Sequence, residues 1–259
     1  LRERGVRSMM GVPLLHQGRM QGMLVLENNL APGVFTAQRL ELLRMLSSQI
    51  AVALLNAQLV EELRELNAAY ARFVPQQFLR LLGRDVITEV RLGDAVEREM
   101  TVLFADIRSF TTLSEGRSPA ANVEFINEYL RHIGPTIRTH GGFIDKYIGD
   151  GVMALFPGAA EDAVRAAIAM RKALKRFNTT REARGEGPIR IGIGLHRGLA
   201  MLGTIGEAER MDGTVIADVV NTAARVETLT KRMGCTALLT DAVVEGLPGR
   251  DSFLTRYLG

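Results

Sequence analysis

The chain has 259 residues, 47% hydrophobic and 24% charged, the balance of a soluble globular protein. That excludes a disordered tail, a collagen-like fibre and a disulfide-stapled miniature. The formal charge is only +3 and the basic residues are scattered, so no nucleic-acid partner is expected. A single cysteine, Cys235, forbids an internal disulfide and fits a reducing, cytoplasmic compartment. No uninterrupted run of about eighteen apolar residues occurs, so no membrane span is expected. Of the 32 basic residues only four are Lys, which makes a Lys in a chemically busy place informative. The ends, Leu1 and Gly259, read as cut points in a larger protein.

Residues 1–35 hold two strand-like runs, 9–15 and 20–27, joined by His16-Gln17-Gly18-Arg19, a hairpin-type connection. Two strands cannot bury a core alone, so this segment reads as the end of a larger domain. Residues 36–73 form one long helical pattern with Thr36 as N-cap and Pro75 beyond its end. Leu43, Leu46, Ile50, Ala53, Ala57 and Val60 repeat at spacings of three and four. Leu59, Leu63, Leu66, Tyr70 and Phe73 repeat likewise, slightly out of phase. A heptad with a phase slip predicts a coiled coil; a helix packed on its own domain is the alternative.

Residues 98–259 read as a mixed α/β domain. The spacing predicts strands over 100–106, 143–148 and 152–156, a strand pair over 189–196 and 199–205, and a last strand over 236–240. Helices are predicted from Ser118-Pro119 to about 139, over the Ala-rich 162–177, and over 218–233. The order β-α-β-β-α-β implies an α+β, ferredoxin-like fold, an antiparallel sheet with helices on one face.

Several motifs carry nothing. Gly192-Ile193-Gly194 precedes no helix and reads as strand glycine, no phosphate-binding loop with Gly-Lys-Ser/Thr exists, and the four His lack zinc-ligand spacing. Two aspartates remain. Asp106 ends an apolar strand and Asp150 sits in the turn Gly149-Asp150-Gly151. If the first strand lies beside that hairpin, both carboxylates meet at one sheet edge. Two carboxylates with main-chain oxygen suit a hard cation that keeps positions open for substrate phosphates. The structural alternative is that each simply shapes a turn, as Asp commonly does. Asn221 and Arg225 lie four apart on one predicted helix and so share a face, which a plain solvated helix would also show.

At these residues the chain resembles the class III nucleotide cyclases. Residues 102–112 (VLFADIRSFTT) resemble the first metal motif, 141–156 (GGFIDKYIGDGVMALF) the second, and 210–225 (RMDGTVIADVVNTAAR) the segment that supplies transition-state residues. The resemblance covers about 98–247. Residues 72–97 resemble the transducer segment of multidomain bacterial cyclases, and 1–60 more weakly resemble the C-terminal part of a GAF sensor domain with its exit helix. The implied organisation is a partial GAF-like sensor over 1–35, a signalling helix or coiled coil over 36–73, a transducer over 74–97 and a palm-like cyclase domain over 98–259. The family's closing hairpin would lie beyond Leu258, so the domain is expected to be cut short.

The resemblance implies roles by position. Asp106, Asp150 and the Ile107 carbonyl match the ligands of two Mg²⁺ or Mn²⁺ ions. Amides near Phe110 and Thr111 match those that hold the terminal phosphates. Lys146 and Thr214 match the purine-selecting pair, resembling the bacterial subgroup that uses ATP and is often bicarbonate-responsive. Asn221 and Arg225 match the transition-state pair. The site would span a homodimer, aspartates from one chain and Lys146, Thr214, Asn221 and Arg225 from the other. Leu199 stands where some relatives have a phosphate-binding Arg, and nearby Arg197 is the candidate replacement. The expected activity is adenylate cyclase, ATP to 3′,5′-cyclic AMP and pyrophosphate, with an upstream sensor ligand left unspecified. A guanylate cyclase shares every catalytic residue but usually shows Glu and Cys at the purine positions. A diguanylate cyclase would need a Gly-Gly-Asp/Glu-Glu-Phe turn, which is absent; an inactive ligand-sensing dimer module is the non-enzyme alternative.

Overall fold

The computed structural model describes residues 5–207, 209–249 and 253–258. The chain forms two compact units, Leu1–Phe73 and Val74–Gly259. Residues 1–4 of the expected sensor fragment lie outside the described residues.

In the first unit β1 (Ser8–His16) and β2 (Arg19–Asn28) pair antiparallel from Ser8↔Asn28 to His16↔Arg19. Both turn residues, Gln17 and Gly18, have positive φ, the geometry that matches the twist of a two-residue hairpin. Helix α1 (Ala37–Tyr70) starts where Thr36 accepts from the Arg39 amide at 3.4 Å. It lies on β1, burying only Ser47 and Ala51, small residues that permit close approach. Leu46, Ile50, Leu59, Val60, Leu63, Leu66 and Tyr70 are exposed.

One helix bears on the expectation of no spanning segment. By length and composition alone α1 is long and apolar enough to cross a membrane, since Met45 to Val60 contains no charged residue, but Ser47, Ser48, Gln49, Asn56 and Gln58 interrupt its apolar run and are costly in hydrocarbon without partners. The same composition serves a helix that pairs with another helix through an apolar seam.

In the second unit α2 (Gln76–Leu81) precedes β3 (Ala95–Ile107). Then follow α3 (Phe110–Ser114), α4 (Pro119–Thr139), β4 (Phe143–Ile148), β5 (Gly151–Phe156) and α5 (Ala160–Ala183). The chain continues with β6 (Ile191–Gly206), β7 (Met211–Ile216), α6 (Asp218–Arg232), β8 (Ala237–Leu239) and α7 (Asp241–Glu245). The sheet order is β4-β5-β3-β6-β7, antiparallel, with β8 parallel to β6. Residues 254–258 have no regular secondary structure.

The predicted strand pair over 189–205 is one strand. β6 pairs with β3 from Ile107↔Ile191 to Ala95↔Gly203 without a break, and Gly198 merely continues it. The hairpin partner of its second half is β7, which the sequence pattern did not reveal because Met211-Asp212-Gly213-Thr214 lacks an apolar alternation.

Helices also cover both faces of the sheet rather than one. Leu103, Ala105 and Ile107 of β3 join Val152, Ala154 and Phe156 of β5 in a core under α4 and α5. The alternate residues Met100 and Val102 join Met153, Leu155, Ala200, Leu202 and Val215 in a second core. Val219 and Ala223 of α6 and Phe78 of α2 cover that second core. The physical reason lies in β6: a Cβ at Gly194 would fall on the backbone of Glu227 in α6, so only glycine admits the helix there.

Phe177 tests the first core. It is fully buried among Phe125, the His132 ring at 4.7 Å and the Arg181 guanidinium. Phe177→Ala should destabilise the second unit by about 3–5 kcal/mol, read as a lower urea midpoint. A midpoint equal to wild type would contradict this packing.

Candidate active site

The end of β3 and the turn between β4 and β5 build the site. Gly149 and Asp150 are the two loop residues between Ile148 and Gly151, and Gly149 has φ +62°, which glycine adopts without strain. The turn therefore centres on Gly149-Asp150. Gly151 sits where a Cβ would come within 3.4 Å of Asp106 Oδ1 and 3.1 Å of the Ile148 carbonyl, so a small residue lets the turn close on β3. The Ile107 amide donates to Asp150 Oδ2 at 3.1 Å. The two aspartates are thus neighbours, as the strand arrangement expected from sequence requires.

Their proximity has an electrostatic consequence. Burial first, then the hydrogen bond and like charge of Asp106, push the Asp150 carboxyl up to about 7, against the pull of the Ile107 amide. Behind them the Tyr129 hydroxyl of α4 is fully buried and has no hydrogen-bond partner among the described residues. Burial, then the charges of Asp106 and Asp150, raise that phenol.

This donor set suits a hard divalent cation. Two partly buried carboxylates that repel each other are relieved by a cation between them, and their oxygens are the ligands Mg²⁺ or Mn²⁺ prefers. No group of three or more His, Cys, Asp or Glu side chains with metal-binding geometry occurs among the described residues. A bound ion would therefore take much of its shell from main-chain oxygen, water or substrate.

After Ile107 the chain turns through Ser109 at φ 57°, an uncommon left-handed conformation for a non-glycine residue, into α3. The Phe110 ring packs on the first core, stacked on Phe125 at 6.3 Å between centroids. The amides of Phe110 and Thr111 stand in the first turn of α3, where no intrahelical acceptor exists.

Lys146 reaches its place through a β-bulge. Ile144 faces Ala154, yet Lys146 faces Met153, so Asp145 is the extra residue. The bulge moves Lys146 onto the face of the second core, and its Nζ donates to Thr214 Oγ1 of β7 at 3.3 Å. Strands β4 and β7 are opposite edges of the sheet, so this contact requires the sheet to curl. Asp145 was not singled out by sequence; its Oδ2 lies 3.4 Å from Lys146 Nζ, and burial raises its carboxyl against the pull of that lysine.

Asn221 and Arg225 are exposed on α6, turned away from Val219, Ala223 and Glu227, which face the sheet. Among the described residues neither bonds to Asp106 or Asp150. A single chain thus brings together two separate groups, Asp106 with Asp150 and Lys146 with Thr214, and leaves the Asn221/Arg225 face open. Arg197, the candidate replacement, pairs in this chain with Glu99 at 3.1 Å and the Gly158 carbonyl at 3.1 Å.

In metal-free protein the raised Asp150 has a worked sign. Its folded value lies above the ordinary 3.8, so the folded state favours the protonated acid. The destabilisation is absent below about pH 4, grows with pH and is complete above about pH 7. Asp150→Asn keeps an acceptor for the Ile107 amide and removes the charge. Its Tm advantage over wild type in chelator should grow from about pH 5 to about pH 8. A pH-independent difference would refute the carboxylate coupling.

Residues 95–252 match the Adenylate and Guanylate cyclase catalytic domain family, and residues 1–54 match the GAF domain family. An adenylate cyclase of Anabaena cylindrica is 44% identical over 195 residues, covering 73% of this chain and 39% of that relative. This chain therefore spans well under half of that relative's length. A bacterial light-regulated adenylyl cyclase structure aligns at TM-score 0.64 and 27% identity, covering 74% of this chain and 57% of that one. A guanylyl cyclase structure aligns at TM-score 0.53 and 30% identity, covering 59% of this chain and 79% of that one.

Proposed function

Because the chain belongs to the Adenylate and Guanylate cyclase catalytic domain family, we propose that its second unit is an adenylate cyclase forming 3′,5′-cyclic AMP and pyrophosphate from ATP. The observation that carries the reading is the apposition of Asp106 and Asp150, held by the Ile107 amide at 3.1 Å. These carboxylates and the Ile107 carbonyl would hold two Mg²⁺ or Mn²⁺ ions. The bound ions would supply activation of the 3′-hydroxyl and neutralisation of the leaving pyrophosphate.

The chain's own residues do the rest. The free amides of Phe110 and Thr111 bind the terminal phosphates. Lys146 and Thr214 read the purine: adenine N1 accepts from the Lys ammonium, and the Thr oxygen accepts from the 6-amino group. Guanine carries a hydrogen on N1 and so repels the same lysine donor, which favours ATP over GTP. Asn221 orients the ribose, and Arg225 stabilises charge developing on the α-phosphate.

The reading includes a two-fold homodimer with shared sites, because Asn221 and Arg225 point away from their own chain's carboxylates. Placing them on a partner's Asp106 and Asp150 completes two identical sites. The GAF-like segment and α1 would carry a sensor signal in the cytoplasm of the cell, and the Lys146/Thr214 pairing makes bicarbonate a candidate effector.

The deciding experiment incubates the purified chain with ATP or GTP and Mg²⁺ or Mn²⁺. Cyclic AMP should be the main product, and Asp106→Ala or Asp150→Ala should abolish it with the thermal transition retained. Cyclic GMP as the main product would favour the guanylate cyclase reading, and no product from either nucleotide would favour the inactive module. Sharing of the site has its own test. Arg225→Ala alone should lose on the order of a hundred- to a thousandfold in turnover. Mixed with Asp106→Ala chains it should recover about a quarter of wild-type activity, since half the dimers are mixed and each holds one intact site of two. No recovery after verified subunit exchange would exclude shared sites.

A further inference from the structure

Arg108 follows the metal-motif strand, and Glu227 sits on α6 two positions beyond Arg225. Arg108 Nη1 and Glu227 Oε1 stand 3.2 Å apart, with side chains only 18% and 12% exposed. The pair fills a notch in β6. Gly192 lies directly opposite Asp106 in the sheet, and a Cβ there would fall on both the Arg108 guanidinium and the Glu227 carboxylate. Two residues on, Gly194 lets the α6 backbone itself touch the strand. The Gly192-Ile193-Gly194 run, which carries no phosphate-loop chemistry, thus clears the space for an ion pair across the second face of the sheet.

The pair is poorly built for stability. Arg108 Nη2 and Glu227 Oε1 have no hydrogen-bond partner among the described residues, and Glu227 also feels the like charge of Asp106. Desolvating two charges offsets most of their attraction, and packed apolar side chains would hold a helix to a strand at lower cost. What the pair does supply is a close, largely buried contact between opposite charges on the end of β3 and on α6. One end is the residue after Asp106-Ile107, and the other lies half a turn from Arg225.

We propose that Arg108 and Glu227 are positioning residues, an ion pair that fixes α6 against the end of β3 and so sets Asn221 and Arg225 in register with the carboxylates. This rests on the shared-site cyclase reading above. In that dimer one chain's carboxylates serve one site and its α6 serves the other. The pair therefore joins the geometry of the two sites through each chain, and its loss misplaces groups in both.

The test uses Glu227→Gln, Arg108→Gln and the double variant, with Asp106→Ala as control, in the whole chain. Each single variant should lose on the order of a hundredfold in kcat, the effect of roughly 1 Å of misplacement, with KM for ATP changed less than about threefold. The double variant should lose no more than either single one, because the two act as a unit. Affinity for 3′-deoxy-ATP with Mn²⁺, read by calorimetry, should stay within about threefold of wild type, since that analogue binds without turning over. Independent, multiplying losses in the double variant would overturn the proposal, as would wild-type kcat in Glu227→Gln. If Gln at 227 prevents folding, Glu227→Asp, which keeps the charge but draws it back, is read in the same way. Failure of that variant to fold as well would make the pair purely structural and end the proposal. Asp106→Ala separates the two levels: its full activity would sink the cyclase site itself, whereas its inactivity beside a wild-type Glu227→Gln sinks only the positioning role.

Discussion

The lateral closure of the β4–β5 turn onto the end of β3 is the constraint on which the rest of the catalytic unit depends. It puts Asp150 within reach of the Ile107 amide and beside Asp106, at a cost in charge repulsion that burial enlarges. A stretch of sheet that needed only to be stable would not gather two carboxylates at its edge. Gly149 and Gly151 make the closure sterically feasible, the first by its positive φ and the second by leaving room for the Asp106 side chain.

That closure sits between two buried faces. The first core packs alternate residues of β3, β5 and β6 against α4 and α5 and makes the sheet a rigid platform. The second core, between the sheet and α6 and α2, decides where Lys146 and Thr214 go. The bulge at Asp145 rotates Lys146 onto that face, and curling of the sheet brings it to Thr214 on the far edge strand. Glycines in β6 admit α6 close to the strand, with Asn221 and Arg225 on its outer side. A buried inner stripe and an exposed outer stripe carrying Asn221 and Arg225 on one helix suit a site completed by a second copy of the chain.

The first unit follows a different logic. Its hairpin buries only a short stretch of α1, and the helix beyond it carries exposed apolar residues along much of its length. Isolated helices gain little from propensity alone, so a helix of this composition would gain stability from an apolar partner. The out-of-phase stripes around Ala57 to Leu63 would ask a paired helix for two different registers. Such a helix is able to pass a change of register along its axis.

Much of this was legible in the sequence for local reasons. Alternating and helical periodicities located most of the strands and helices, Thr36 and Ser118 marked two helix starts, and the Asp106 and Asp150 motifs singled out two carboxylates that the fold brings together. Each of these is set by a few consecutive residues and their backbone preferences. The continuity of β6, the strand β7, the bulge at Asp145, the face on which α6 packs and the Arg108–Glu227 pair were not legible. Periodicity tells which residues share a face, not which element that face will meet. Gly192 and Gly194 read as ordinary strand glycines until α6 lies over them, because their purpose is the space they leave for residues distant in the chain. The sequence by itself therefore determined most of the elements and the candidate reacting groups. Only the tertiary structure decided how those groups are aimed, since aim depends on contacts between segments that no local pattern encodes.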